Sequence, residues 1–223
     1  MTLRPLSDMS PADWFVNSDA PLALRASLGP PGFEAYARLL HTECNAGQGG
    51  RVEGHLDDTL LTALCENLAP RTTTPDDCYF GLWEGYGDIH GGEAAGFLTT
   101  FIGPPRWPGR IFRREKPPVP PPPAFPPHVM NGPLLGANNA EHFLFGGSID
   151  EAGEWGAADY ALGLPRGLNS PNLMWPVDHS WFVTTNIDRT WTGVAGTTAL
   201  IDDLLRDPRL EVVRSRYDIE AAR

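Results

Sequence analysis

The stretch TTTPDDCYFGLWEGYG, residues 72–87, decides how this chain is read. Thr72 to Asp77 carries turn chemistry, because Thr and Asp side chains bond to nearby backbone and Pro75 presets the bend. Cys78 to Trp83 follows with Tyr79, Phe80 and Trp83, residue types that suit a pleated surface, so it reads as a strand. Upstream, Leu56, Leu60, Leu64 and Leu68 recur every fourth residue, with Asp57 and Asp58 at the positive end of the helix they predict. Pro70 ends that helix. Downstream, strands are expected over about 96–102, over 142–146 and over 180–187, where Trp181, Val183, Thr185 and Ile187 alternate. No regular strand–helix–strand alternation appears. The pattern predicts an α+β fold with a mainly antiparallel sheet, two or three helices and one long proline-rich loop.

The remaining segments fit around that frame. Ser10-Pro11-Ala12-Asp13 supplies a cap, a proline at the first helical position and an acid in the first turn, so a short helix starts there. Residues 22–28 alternate with Leu22, Leu24, Ala26 and Leu28 on one side and are expected as a strand, broken by Gly29-Pro30-Pro31-Gly32. Phe33 to His41 fits either period and is read as strand. Residues 45–54 form a loop, residues 150–170 an irregular stretch, and Trp175-Pro176 with Asp178 a turn. Thr197 caps a helix that presents Leu200, Ile201, Leu204 and Leu205 until Asp207-Pro208, and Leu210 to Val213 forms an edge strand. Residues 103–136 hold the prolines that cannot donate ladder hydrogen bonds, so they form a surface loop or spacer within a single domain spanning 1–223.

Net charge is −11, and the only basic segment, residues 104–140, carries five Lys and Arg against one acid. So few cations cannot neutralise a phosphate backbone, which argues against nucleic acid, and the absence of a long apolar run argues against a membrane. The start of the chain lacks a basic and then apolar leader, so a cytoplasmic protein is expected. Three cysteines, Cys44, Cys65 and Cys78, leave one odd thiol, and Cys65 and Cys78 read as small buried hydrophobes. A zinc site from these with His41 has local ligand spacing only at His41-x-x-Cys44, so no metal ligands are assigned.

Three stretches, GFEAYARLLH at 32–41, TTTPDDCYFGLWEGYG at 72–87, and 171–212 with PNLMWPVDHSWFVTTNIDRTW and ALIDDLLRDPRLEV, resemble a family of uncharacterised actinobacterial proteins. Met174, His179 and Asn186 depart from that family's pattern. The resemblance implies a cytoplasmic protein of shared fold and no particular activity.

Signature motifs of catalysis are sparse. Gly146-Gly147-Ser148-Ile149-Asp150 approaches a nucleophile elbow but lacks its second glycine. The richest constellation is Asn172, Trp175, Asp178, His179, Trp181, Asp188 and Trp191, in which rings can hold a ligand while the acids accept its polar hydrogens. Trp181 shares the phase of Val183 and Ile187 and reads as core. A second cluster, Trp83-Glu84-Gly85-Tyr86-Gly87-Asp88, places a carboxylate at a strand end, where it could pair with Asp178 or Asp188 as acid and base. Arg114-x-x-Pro117-x-x-Pro120 has the form read by polyproline-binding grooves. The leading expectation is a binding or protein-interaction module whose ligand, a protein partner or a small molecule, meets Trp83, Glu84, Trp175, Asp178, Asp188 and Trp191. The alternatives are a hydrolase-like enzyme with catalytic candidates Glu84, Asp178 and His179, and a structural subunit of a larger assembly. No cofactor is indicated.

Overall fold

The computed structural model describes residues 2–43, 51–91 and 121–218. Its contacts divide the chain into two units, one of Met1–Glu84, Gly132–Trp155 and Asn169–Arg223, the other of Gly85–Asn131 and Gly156–Leu168. The first unit is α+β and is built on one antiparallel sheet. Its strands are β1 (Arg4–Pro5), β2 (Ala35–Leu40), β3 (Cys78–Trp83), β4 (Leu135–Ala137), β5 (Ala140–Gly147), β6 (Leu173–Pro176), β7 (Phe182–Thr185), β8 (Trp191–Gly196) and β9 (Val212–Ser215). Their order is β1-β5-β3-β6-β7-β8-β2-β9, with β4 paired to β5 as a hairpin.

Helices cover both faces of this sheet. On one side lie α1 (Asp13–Val16) and α2 (Leu22–Leu28); on the other, α3 (Asp58–Leu68) packs beside α6 (Thr198–Arg206). Phe15 of α1 meets Trp175 of β6 and Phe182 of β7 with ring centroids 5.1 and 4.9 Å apart. The helix α2 rides close over β8, where a Cβ on Gly193 would stand 2.1 Å from the Ser27 carbonyl oxygen. Double coverage explains why β6, β7 and β8 are buried at every position instead of alternating.

The expected strand at 22–28 is a helix. The buried positions are Leu24, Ser27 and Leu28, the spacing of one helical face, while Leu22 is exposed. Pro21 precedes the first turn and Gly29 ends it at φ 86°, a left-handed conformation that the missing Cβ allows. The alternation of four small and large apolar residues was therefore coincidental with a helix stripe. Strand β7 is shorter than residues 180–187, and Trp175-Pro176 belongs to β6, the turn lying at 177–180. Helix α3 matches the leucine spacing, with the Asp57 carboxylate accepting from the Thr59 and Leu60 amides. Thr197 caps α6 by accepting from the Leu200 amide, and β9 forms the sheet edge.

The second unit contains α4 (Gly87–His90) and α5 (Pro127–Met130), so the described residues hold six α-helices, three of them single turns, not two or three. Buried Arg166 organises it, donating to the carbonyls of Asp88 at 2.9 Å and Pro122 at 2.5 Å and lying over the Tyr160 ring. The Tyr160 hydroxyl donates to Asp88 at 2.6 Å. The proline-rich segment is not all loop, since α5 lies inside it and β4, in the first unit, closes it at 135–137. The strand expected at 96–102, Cys44, and the Arg114 to Pro120 motif lie outside the described residues. Among the described residues, no helix is long and apolar enough to cross a membrane.

Two substitutions test this packing. Gly193→Ala forces α2 away from β8 and lowers stability by about 1–3 kcal/mol, read as a lower urea midpoint. Trp175→Ala empties a core site that is fully buried and costs about 3–5 kcal/mol; an unchanged midpoint in either variant would contradict the layer arrangement.

Candidate functional site

The sheet register sorts the candidate residues to opposite strand ends. Trp83 pairs with His142 at one end of β3, whereas Cys78 pairs with Pro176 at the other, just before Asp178 and His179. Five rises of ~3.3 Å from Cys78 to Trp83 put about 17 Å between those ends. Glu84 therefore cannot share a proton with Asp178, and of the two expected acid–base pairings the one with Asp178 does not form.

At the far end Asp178 is a structural clamp. One of its oxygens accepts from the Thr72 hydroxyl (2.8 Å), the Thr73 amide (2.7 Å) and the Thr73 hydroxyl (2.8 Å), and the other accepts from the Ser180 amide (3.0 Å). Burial on its own would raise the carboxyl, but the Thr73, Ser180 and Thr72 bonds together hold it well below the usual carboxylate range. An acid fixed in its charged form cannot deliver a proton near neutral pH. His179 sits at φ 54° and stacks on Trp14, centroids 4.2 Å apart; burial lowers its pKa, against the pull of Asp178. It lines a cleft of about 290 Å³ with Trp14, Phe33, Glu34, Ser180 and Thr197. Glu34 already accepts from the Thr198 amide at the start of α6, so that helix end is satisfied from within the chain.

Two of the expected ligand-facing tryptophans are core residues. Trp175 has no exposed surface, lying 5.4 Å from the Tyr79 ring and 5.9 Å from that of Phe182, and Trp191 is 7% exposed beneath the Arg38 guanidinium. An aromatic and acidic surface made of Trp83, Glu84, Trp175, Asp178 and Trp191 is thus not presented. Trp181 is buried as its phase required. Ser148 caps a short 3₁₀ turn at Ile149–Glu151 through a reciprocal capping box, a structural duty. His41 is buried with both ring nitrogens engaged. The Val52 carbonyl can only accept, so Nδ1 donates to it (2.8 Å); Nε2 then accepts from Thr192, whose hydroxyl in turn accepts from Thr185. Burial pushes the Cys65 and Cys78 thiols up to about 12, far from the thiolate that zinc needs. Among the described residues, no three His, Cys, Asp or Glu side chains gather as a metal site.

The end of the sheet that carries Trp83 encloses a cavity of about 250 Å³. Strand residues His142, Leu173 and Thr184 line one wall, Ala26 of α2 another, and the turn at Asn138-Asn139 and the loop of Asn186 to Asp188 the rim. Both turn asparagines have positive φ, 57° and 62°, as a two-residue hairpin of this type requires. Arg25 ties this turn to the helices, donating through Nε to Asn138 Oδ1 (3.1 Å) and through Nη1 to the Val16 and Ser18 carbonyls (both 3.0 Å). Gly54, at φ 65°, lies so near Ile187 that a Cβ would stand 2.7 Å from the Ile187 carbonyl oxygen, which braces the rim loop.

Polar groups in the cavity wall are held by the fold. Asn172, buried, extends the ladder with its side chain, Oδ1 accepting from the Trp83 amide (2.8 Å) and Nδ2 donating to the Thr185 carbonyl (3.2 Å). The Thr184 hydroxyl donates to the Ala26 carbonyl (3.1 Å). His142 is 5% exposed, burial pushes its imidazole down to about 4 against the pull of the Leu135 and Ala140 carbonyls, and its Nδ1 has no hydrogen-bond partner. Of the expected binding residues, Trp83 and Asp188 meet here; Glu84 follows β3, its amide donating to the Glu141 carbonyl at 2.9 Å. Asn138, Asn139 and His142 were not singled out from sequence, although consecutive asparagines before an apolar run are a hairpin signal. No known protein family, curated protein or solved structure matches the chain.

The clamp at Asp178 predicts a pH signature. A depressed folded-state pKa gives stability that is fully present above the unfolded carboxyl value, near 4, and is lost as pH falls toward the folded value. Asp178→Asn therefore lowers the melting temperature at pH 7, and its gap from the unmodified protein narrows below about pH 4; a gap independent of pH would contradict the clamp.

Proposed function

We propose that this chain is a binding module for a small polar molecule, held in the cavity between Trp83, His142, Thr184 and Asp188. The observation that carries this reading is a polar cavity whose side chains, among them Asn138, Asn172 and Thr184, are fixed by the fold. Preset polar groups in a concavity are the common form of small-molecule sites. At about 250 Å³ the cavity falls below the range of drug-sized ligands, which points to a small metabolite.

This reading is favoured over a hydrolase because the three catalytic candidates do not converge. Glu84 follows Trp83 at one end of β3, whereas Asp178, bound to Thr72 and Thr73, and His179, stacked on Trp14, lie at the other.

Ala26 offers a test, since it lines the cavity without making a side-chain hydrogen bond. In a nuclear magnetic resonance screen of small polar fragments, binders are expected to shift the Trp83 indole and His142 signals. Ala26→Leu should weaken those binders at least ten-fold while leaving the melting temperature within a few degrees. Fragments that bind equally well to Ala26→Leu, or a screen with no shift at Trp83 and His142, would overturn the proposal.

A further inference from the structure

Resting on the cavity as a binding site, we infer that its ligand is an uncharged polyol of about monosaccharide size. The side chains around the cavity have already spent particular halves of their hydrogen-bonding capacity, and what remains describes the ligand. Asn138 Oδ1 accepts from Arg25, Asn172 Oδ1 from the Trp83 amide, and Asn186 Oδ1 from the Asp188 amide at 2.9 Å. The groups that Asn138 and Asn186 chiefly keep for a ligand are their amide N–H donors. Thr184 has the opposite bias: its proton goes to the Ala26 carbonyl, so it keeps lone pairs. Asp188, exposed on the rim, also only accepts.

Donors and acceptors therefore face one small volume. A carboxylate or phosphate ligand has only acceptors to offer; it would set negative charge against Asp188 and the lone pairs of Thr184, and among the described residues no Lys or Arg lines the cavity to offset it. A simple ammonium has only donors and would leave the asparagine amides unmatched. A hydroxyl both donates and accepts, so a set of neighbouring hydroxyls satisfies the two kinds of group together. The half-buried Trp83 ring adds an apolar platform for the carbon-bound face of such a molecule. The volume, about 250 Å³, corresponds to roughly eight waters at ~30 Å³ each, which is the scale of a pentose, a hexose or inositol.

The experiment is a titration of the full chain, followed by Trp83 and His142 resonances, with a panel of methyl pentosides, methyl hexosides and myo-inositol, alongside ethanolamine and acetate as charged probes. At least one polyol is expected to bind ten-fold or more tightly than either charged probe, and Asp188→Ala and Asn186→Ala should each weaken it about ten-fold. Preference for ethanolamine or acetate, polyol binding indifferent to both substitutions, or no polyol binding while other fragments shift the same resonances would overturn the polyol class and leave the cavity standing. Silence from polyols, charged probes and fragments alike would remove both.

Discussion

The close passage of helix α2 over strand β8 at Gly193 is the constraint on which the site depends. Only a residue without a side chain lets the Ser27 carbonyl come so near the sheet. With α2 seated there, Ala26 walls the cavity and takes the Thr184 hydroxyl proton, and Arg25 reaches the Asn138 turn while gripping the carbonyls of Val16 and Ser18. One close backbone approach thus fixes helix, strand and hairpin around the same volume. Packed interiors transmit such constraints because they have little free space to absorb a displacement.

The two ends of the sheet have been given different work. At the Asp178 end, polar side chains are turned inward on the chain: Thr72 and Thr73 bind the carboxylate, Glu34 caps α6, and His179 stacks on Trp14. At the Trp83 end, Asn172 continues the ladder where β6 stops, and the side chains around it keep hydrogen-bonding capacity that faces a cavity. The first arrangement commits its carboxylates to the chain; the second keeps donors and acceptors in fixed places.

Much of the fold was legible in the residues. Leucines spaced by four, an aspartate cap and a proline stop mark α3, and Cys78 to Trp83 reads as the strand it forms, because local propensity and tertiary packing agree there. Residues 22–28 were misread because Leu22, Leu24, Ala26 and Leu28 satisfy a period of two while Leu24 and Leu28 also satisfy a helix, and only contact with β8 selects between them. Trp181 was legible as core from its phase, but Trp175 and Trp191 were legible as aromatic and not as exposed or buried, since helices cover both faces of the sheet and a sequence does not state what lies above a strand.

By itself the sequence determined the class of the fold, its antiparallel bias and the caps of α3 and α6, because these follow from local chemistry and composition. Tertiary structure alone decided which acids and rings share a site. Trp83 and His142 lie far apart in the chain, and strand register makes them neighbours; Glu84 and Asp178 look equivalent in composition, and the same register separates them by the length of a strand. Register is a property of paired strands, set by packing on both faces, and no single segment carries it.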